Sequence, residues 1–157
     1  MYDNYPFAKI GVRMMRVISY NVNGIRAAAR KGMYDWLKRQ RADVVCLQET
    51  KAQMAHLHDE IFRPQGYHCY FVDAEKKGYS GVGIYSKQQP DQVITELGYH
   101  DADNEGRYIQ ADFGKLSVVS LYLPSGSSGD HRQQVKFDFM DHYEQVLKQQ
   151  LNDDRSY

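Results

Sequence analysis

Apolar residues in this chain come in short runs that alternate with longer amphipathic stretches. Val17-Ile18-Ser19-Tyr20 reads as a strand and ends in the asparagine-rich segment Asn21-Val22-Asn23-Gly24. Met33, Trp36, Leu37 and Gln40 then recur at helical spacing, with Lys38, Arg39 and Arg41 turned away. Asp43 to Leu47 is nearly all apolar, the pattern of a strand buried on both faces. Ala52 to Arg63 predicts a weaker helix, stopped by Pro64-Gln65-Gly66.

The middle of the chain predicts strands over Tyr67 to Val72, Gly81 to Tyr85, Gln92 to Leu97 and Tyr108 to Phe113, separated by turn residues. Leu116 to Leu123 is the strongest strand signal, and Pro124 ends it. A loop, Ser125-Gly126-Ser127-Ser128-Gly129, leads to Asp130 and Gln133, spaced as a capping box. Val135, Phe139, Tyr143, Val146 and Leu147 then form one apolar stripe. Strand–helix–strand–helix, several strands and a final helix imply an α/β layered domain. Such a domain would normally return the chain as another core strand, whereas here the last helix runs into Asn152-Asp153-Asp154-Arg155-Ser156-Tyr157.

Composition changes this picture little. Hydrophobic residues are 42% and charged residues 25%, which excludes a disordered chain. Lys plus Arg is 20 and Asp plus Glu is 20, so nucleic acid would be held by a local basic cluster and not by bulk charge. The two cysteines, Cys46 and Cys69, have no zinc-site spacing and make no disulfide scaffold. His56 and His58 lie on a polar stretch and read as surface residues. The sequence has no apolar run long enough to span a membrane, and residues 1–13 have no signal-peptide core. The expected location is cytoplasmic, with residues 1–14 as a flexible extension before the domain at 15–157.

Three strands end in polar residues: at Asn21 and Asn23, at Gln48-Glu49-Thr50-Lys51, and at Tyr122 to Ser125. Strand ends on one sheet edge can converge on a site. A hard cation such as Mg²⁺ takes oxygen ligands, keeps several waters, and needs only one or two carboxylates. Glu49 with Asn21 and Asn23 has that chemistry, although spacing alone leaves Glu49 equally readable as an ordinary strand-end carboxylate.

The segments themselves are more specific. Tyr20-Asn21-Val22-Asn23-Gly24-Ile25-Arg26, Leu47-Gln48-Glu49-Thr50-Lys51, Gly78-Tyr79-Ser80-Gly81-Val82-Gly83, Glu105-Gly106-Arg107 and Tyr122-Leu123-Pro124-Ser125-Gly126 occur in this order. Together they resemble the exonuclease III family of apurinic/apyrimidinic (AP) endonucleases, over about residues 15–151. The resemblance implies half of a four-layer α/β sandwich of the DNase I-like fold, with two mixed β-sheets and outer helices. It implies a Mg²⁺-dependent hydrolase of base-excision repair, with Mn²⁺ an alternative metal. The implied partner is double-stranded DNA with abasic sites or 3′ ends, and the complete protein would be a monomer.

By the same resemblance Glu49 is a metal ligand and Asn21 an active-site residue that helps hold the metal site and the phosphate. Tyr122 is the active-site tyrosine, donating to a phosphate oxygen or acting as phenolate. Asn23 stands where some relatives carry aspartate. Arg26, Lys31, Tyr79, Arg107 and Ser125 match or lie near positions that relatives use around DNA, neutralising and positioning phosphates. Relatives often carry a bulky or basic probe in the loop after the tyrosine; here that loop is Gly- and Ser-rich, followed by His131-Arg132.

The family's remaining catalytic groups, in a Gly-Asp-x-Asn and a Ser-Asp-His segment, do not occur in these 157 residues. Asn152-Asp153-Asp154 has no glycine before it and does not replace them. The expectation is a partial chain, the amino-terminal half of the domain without its carboxy-terminal half, inactive alone. The competing readings are a non-catalytic DNA-binding or interaction fragment, and a phosphoesterase of the same superfamily with another substrate.

Overall fold

The computed structural model describes residues 14–126 and 129–157, so the extension expected at 1–14 lies outside the described residues except for Met14, which is 90% exposed. Among the described residues there are seven strands: β1 (Val17–Asn21), β2 (Val44–Gln48), β3 (His68–Val72), β4 (Val82–Ser86), β5 (Gln92–Ile94), β6 (Tyr108–Phe113) and β7 (Leu116–Leu121). Five helices accompany them: α1 (Ile25–Arg30), α2 (Met33–Gln40), α3 (Met54–Leu57), α4 (His100–Asn104) and α5 (Asp130–Gln150).

Side-chain alternation along the strands builds four layers. One sheet has the order β1-β2-β4-β3, the other β5-β6-β7. On β2, Val45 and Leu47 face an outer core with Ile25, Met33 and Leu37 of α1 and α2. Val44 and Cys46 face the other way and meet Ile109, Ala111, Phe113 and Val118 of the second sheet. Tyr108, Val119 and Leu121 turn outward to Phe139, Tyr143 and Val146 of α5. Strands β2 and β4 are covered on both faces, so every residue in them is buried. The sheet containing β1 is mixed, because β1 runs parallel to β2 while β4 is antiparallel to both its neighbours. The second sheet is antiparallel throughout.

Several elements depart from the sequence reading. Helix α1 went unpredicted because it is only six residues long, too short to show a stripe; Ala27-Ala28-Ala29 favours it, and Gly32 at φ 85 separates it from α2. The helix expected over Ala52–Arg63 is broken into α3 and a 3₁₀ turn over Glu60–Phe62. Asp59 causes the break by turning its carboxylate to the Ile61 amide, a local bond that competes with helix. Strand β5 stops at Ile94, and the Asp103 carboxylate captures the Leu97 and Gly98 amides that a longer strand would use. β7 stops at Leu121. Helix α4, also unpredicted, is a single turn too polar to show a stripe. Asp130 is the first residue of α5 and not its cap: Gly129 holds that place without a side-chain bond. Asp130 still places negative charge at the positive end of the helix dipole. Leu147 falls off the apolar stripe and is exposed.

The carboxy-terminal residues return to the second sheet. Ser156 forms a parallel bridge to Leu116, and its amide and carbonyl bond to the Lys115 carbonyl and the Ser117 amide. Arg155 pairs with the buried Asp112 at 3.2 Å.

Strand β4 leaves no spare space beside the edge strand β3. A methyl group on Gly83 of β4 would lie 2.6 Å from the Phe71 ring and 3.1 Å from the Tyr70 carbonyl oxygen. Gly83→Ala is expected to cost about 1–3 kcal/mol, read as a lowered midpoint in urea unfolding followed by circular dichroism. An unchanged midpoint would mean that β3 and β4 are packed less closely than described.

Candidate active site

Parallel pairing of β1 with β2 brings their carboxyl ends to one edge, with Asn21 beside Gln48. The second sheet is stitched to that edge by Ser120. Its hydroxyl, buried between the sheets, donates to the Leu47 carbonyl at 2.9 Å and accepts from the Gln48 amide at 3.1 Å. Tyr122, two residues on, therefore arrives over Glu49.

The turn that presents Glu49 is strained. Glu49, Lys51, Asn23 and Ser80 all have positive φ, at 54°, 49°, 43° and 44°. Each such residue costs of order 1 kcal/mol or more and persists only where surroundings dictate it. Here the backbone is held from both sides: Val22, Gly24 and Ile25 donate to the carbonyls of Gln48, Glu49 and Thr50, while Thr50 and Lys51 donate to Gly81 and Ser80. Thr50 is fully buried, and the Glu49 and Lys51 side chains meet on the open side.

Three donors converge on the Glu49 carboxylate. Asn21 Nδ2 lies 2.8 Å from Oε1, Lys51 Nζ 2.8 Å from Oε2, and the Tyr122 hydroxyl bonds the same group. Burial by itself would raise the pKa of Glu49. The bonds from Asn21, Lys51 and Tyr122 and the charge of Lys51 outweigh it and hold the carboxyl below its ordinary value. Their contribution to stability is present above the ordinary carboxylate range and is lost as pH falls through the depressed value. The Tyr122 phenol moves the opposite way. Burial, the bond to Glu49 and its negative charge push it up to about 12, against the opposing charge of Arg107. Beside a Glu49 carboxylate uncompensated by a divalent cation it is therefore a neutral donor at neutral pH.

Asn21 is held from two sides. The Asn23 amide can only donate, and it binds Asn21 Oδ1 at 3.0 Å, so Asn21 turns its NH₂ towards Glu49. Asn21 thus meets the carboxylate as a donor and keeps one lone pair of Oδ1 beyond the Asn23 bond. The donor set left for a hard divalent cation is the Glu49 carboxylate, completed by water and substrate oxygens, which suits Mg²⁺ or Mn²⁺. Among the described residues no cluster of three or more His, Cys, Asp or Glu could cage a metal.

Arg107 also departs from expectation. It is 1% exposed, and therefore sits behind the surface that would meet DNA. Its guanidinium donates to Glu105 at 2.6 Å, to the Tyr122 carbonyl at 2.9 Å and to the Tyr79 hydroxyl at 3.0 Å, and lies 4.9 Å from the centre of the Tyr122 ring. Gly106, at φ 57 with no room for a side chain against Asp73, lets the chain bring Glu105 and Arg107 together. Tyr79 accepts a second bond from Arg132 at 2.8 Å, and Arg132 pairs with Glu105 at 3.7 Å. The sequence reading missed Arg132 and Lys51. Arg132 looks like any polar helix residue in one dimension, and Lys51 appeared only as the tail of a motif.

Tyr79, Glu105, Arg107 and Arg132, with Lys76 and the exposed Ser125, line a cavity of ≈ 380 Å³ beside Tyr122. Lys31, on the opposite flank, shares a groove of ≈ 600 Å³ with Asn23 and Trp36, while Arg26 projects from α1. His56 and His58 are exposed. Burial pushes the Cys46 thiol up to about 12, leaving it an inert core residue.

Removing one donor from Glu49 moves its titration. In Asn21→Ala the Glu49 carboxyl should titrate at a higher pH than in the unmodified chain, followed by carbon-detected NMR of the glutamate side chains. Coincident titration curves would show that the Asn21 bond is not made in solution.

The sequence profile of the Endonuclease/Exonuclease/phosphatase family matches residues 18–156. An exodeoxyribonuclease of Bacillus subtilis is 43% identical over 125 residues, covering 76% of this chain and 48% of that protein. A DNA-(apurinic or apyrimidinic site) endonuclease of Dictyostelium discoideum is 31% identical over 151 residues, covering 96% of this chain and 42% of its own length. An AP endonuclease structure from Archaeoglobus fulgidus superposes with a TM-score of 0.76 at 29% identity, covering 87% of this chain and 52% of that one. The chain thus spans about half the length of the curated relatives it matches. With the fold in agreement, the chain belongs to the Endonuclease/Exonuclease/phosphatase family.

Proposed function

We propose that this chain supplies the metal-holding wall of a Mg²⁺-dependent DNA phosphodiester hydrolase acting in base-excision repair, as an AP endonuclease and 3′-to-5′ exonuclease. The observation that carries the reading is the convergence of Glu49, Asn21 and Tyr122 at one sheet edge. Relatives named for cleavage of DNA support the choice of substrate.

Glu49 would hold the cation, and the cation would supply charge stabilisation to the scissile phosphate and its leaving oxygen. Asn21 keeps the carboxylate aimed. Tyr122, neutral at physiological pH, is placed to donate to a phosphate oxygen. Arg107 fixes Tyr122 from behind by its backbone and ring, so its part is positioning. Tyr79, Arg132, Lys76 and Ser125 border the cavity where a neighbouring backbone phosphate would lie, with Arg26 and Lys31 on the other flank. This local cationic surface explains how a chain of zero net charge could hold DNA. The residue that deprotonates the attacking water is assigned, by resemblance, to the Gly-Asp-x-Asn segment that these 157 residues do not contain.

A duplex with a single abasic site tests the proposal. In a polypeptide spanning the relatives' full length, Glu49→Gln should slow Mg²⁺-dependent nicking at least about a hundredfold. Unchanged nicking across a Mg²⁺ titration would remove Glu49 from the site, and hydrolysis of phosphoinositides with the duplex left intact would assign the superfamily's other substrate class. The 157-residue chain alone should leave the duplex uncut at matched concentration. Robust Mg²⁺-dependent nicking by it would place the base among the residues described here.

A further inference from the structure

We propose that Lys51 is a built-in counter-ion that a divalent cation must displace from Glu49, and that Asn23 retains the displaced ammonium, so that Lys51 sets the metal affinity of the site. The inference rests on the reading of Glu49 as the metal-holding carboxylate.

Lys51 Nζ lies 2.8 Å from Glu49 Oε2 and 2.6 Å from Asn23 Oδ1. The first contact occupies a carboxylate oxygen that a cation needs. A divalent ion and an ammonium cannot share that oxygen without strong repulsion, since charges a few ångströms apart in a half-buried setting are poorly screened.

Of the donors on Glu49, Lys51 is the one free to move. Asn21 is fixed by the Asn23 amide, and Tyr122 by the Arg107 guanidinium over its ring and on its carbonyl. The Lys51 side chain is 35% exposed and ends in a flexible four-carbon stem. An ion pair this accessible is of modest strength, so it weakens metal binding without forbidding it.

Asn23 completes the device. Its amide oxygen accepts the ammonium without adding negative charge, so Lys51 can pivot towards Asn23 when the carboxylate is taken. The pair Glu49 and Lys51 is electrically neutral, and the cation gains little net attraction until further oxygens arrive. A DNA phosphate supplies both oxygens and charge, which couples metal loading to nucleic-acid binding.

The test is Mn²⁺ titration of the 157-residue chain, with free Mn²⁺ read by electron paramagnetic resonance. Lys51→Met should bind Mn²⁺ about tenfold more tightly than the unmodified chain. Lys51→Arg, which keeps the charge, should stay near the unmodified affinity. Glu49→Gln should lose the Mn²⁺ site. Met and Gln replacements of Lys51 should behave alike, and circular dichroism melts confirm that each variant is folded. If Lys51→Met and Lys51→Gln bind no more tightly, while the unmodified chain binds through Glu49, the proposal is overturned and the assignment of Glu49 stands. If none of these chains binds Mn²⁺ in a Glu49-dependent way, the metal assignment falls and takes this inference with it.

Discussion

The site depends on one buried hydroxyl. Ser120 lies between the two sheets, donating to the carbonyl of Leu47 and accepting from the side-chain amide of Gln48. Apolar packing between Val44, Cys46, Ile109 and Val118 brings the sheets together, but it is not directional and would tolerate a slip. A buried hydrogen bond does not, because leaving its groups unpaired costs the full desolvation penalty. This pairing fixes which residue of β7 stands opposite the end of β2, and so places Tyr122 over Glu49.

From that registration follows a second constraint, the strained turn at Glu49 to Lys51. Three carbonyls of the turn are bonded by the segment after β1 and two of its amides by the segment before β4. The backbone cost of its left-handed residues is offset by these bonds. The return is a carboxylate and an ammonium presented side by side. The same economy appears at Arg107. A guanidinium that could have met solvent is instead withdrawn to hold Tyr122, Tyr79 and Glu105, and Arg132 takes up the more exposed position next to them.

Charge illustrates how global and local electrostatics part company. Equal numbers of acidic and basic side chains leave no net charge. Folding nevertheless collects Lys76, Arg107 and Arg132 around one cavity with Glu105 as their only acidic partner in its lining. The acidic residues that balance the sum lie elsewhere, among them Asp35 on α2.

The sequence by itself determined the layered α/β class and the strands at Val17, Val44, Tyr67, Gly81, Tyr108 and Leu116, because the alternation and burial of apolar residues are properties of short segments. It also singled out Asn21, Glu49 and Tyr122, since each sits in a motif at a strand end. It did not determine helix breaks such as that at Asp59, nor the early end of β5, because those follow from single side-chain-to-backbone bonds that periodicity does not register. Only the tertiary structure decided what these residues touch: that Asn21 bonds Glu49, that Arg107 is buried behind Tyr122, that Arg132 meets Tyr79, and that Lys51 meets Glu49. The reason is physical. Arg132 meets Tyr79 across 53 positions and Lys51 meets Asn23 across 28, and contacts over such separations are set by how sheets stack, which no local pattern records.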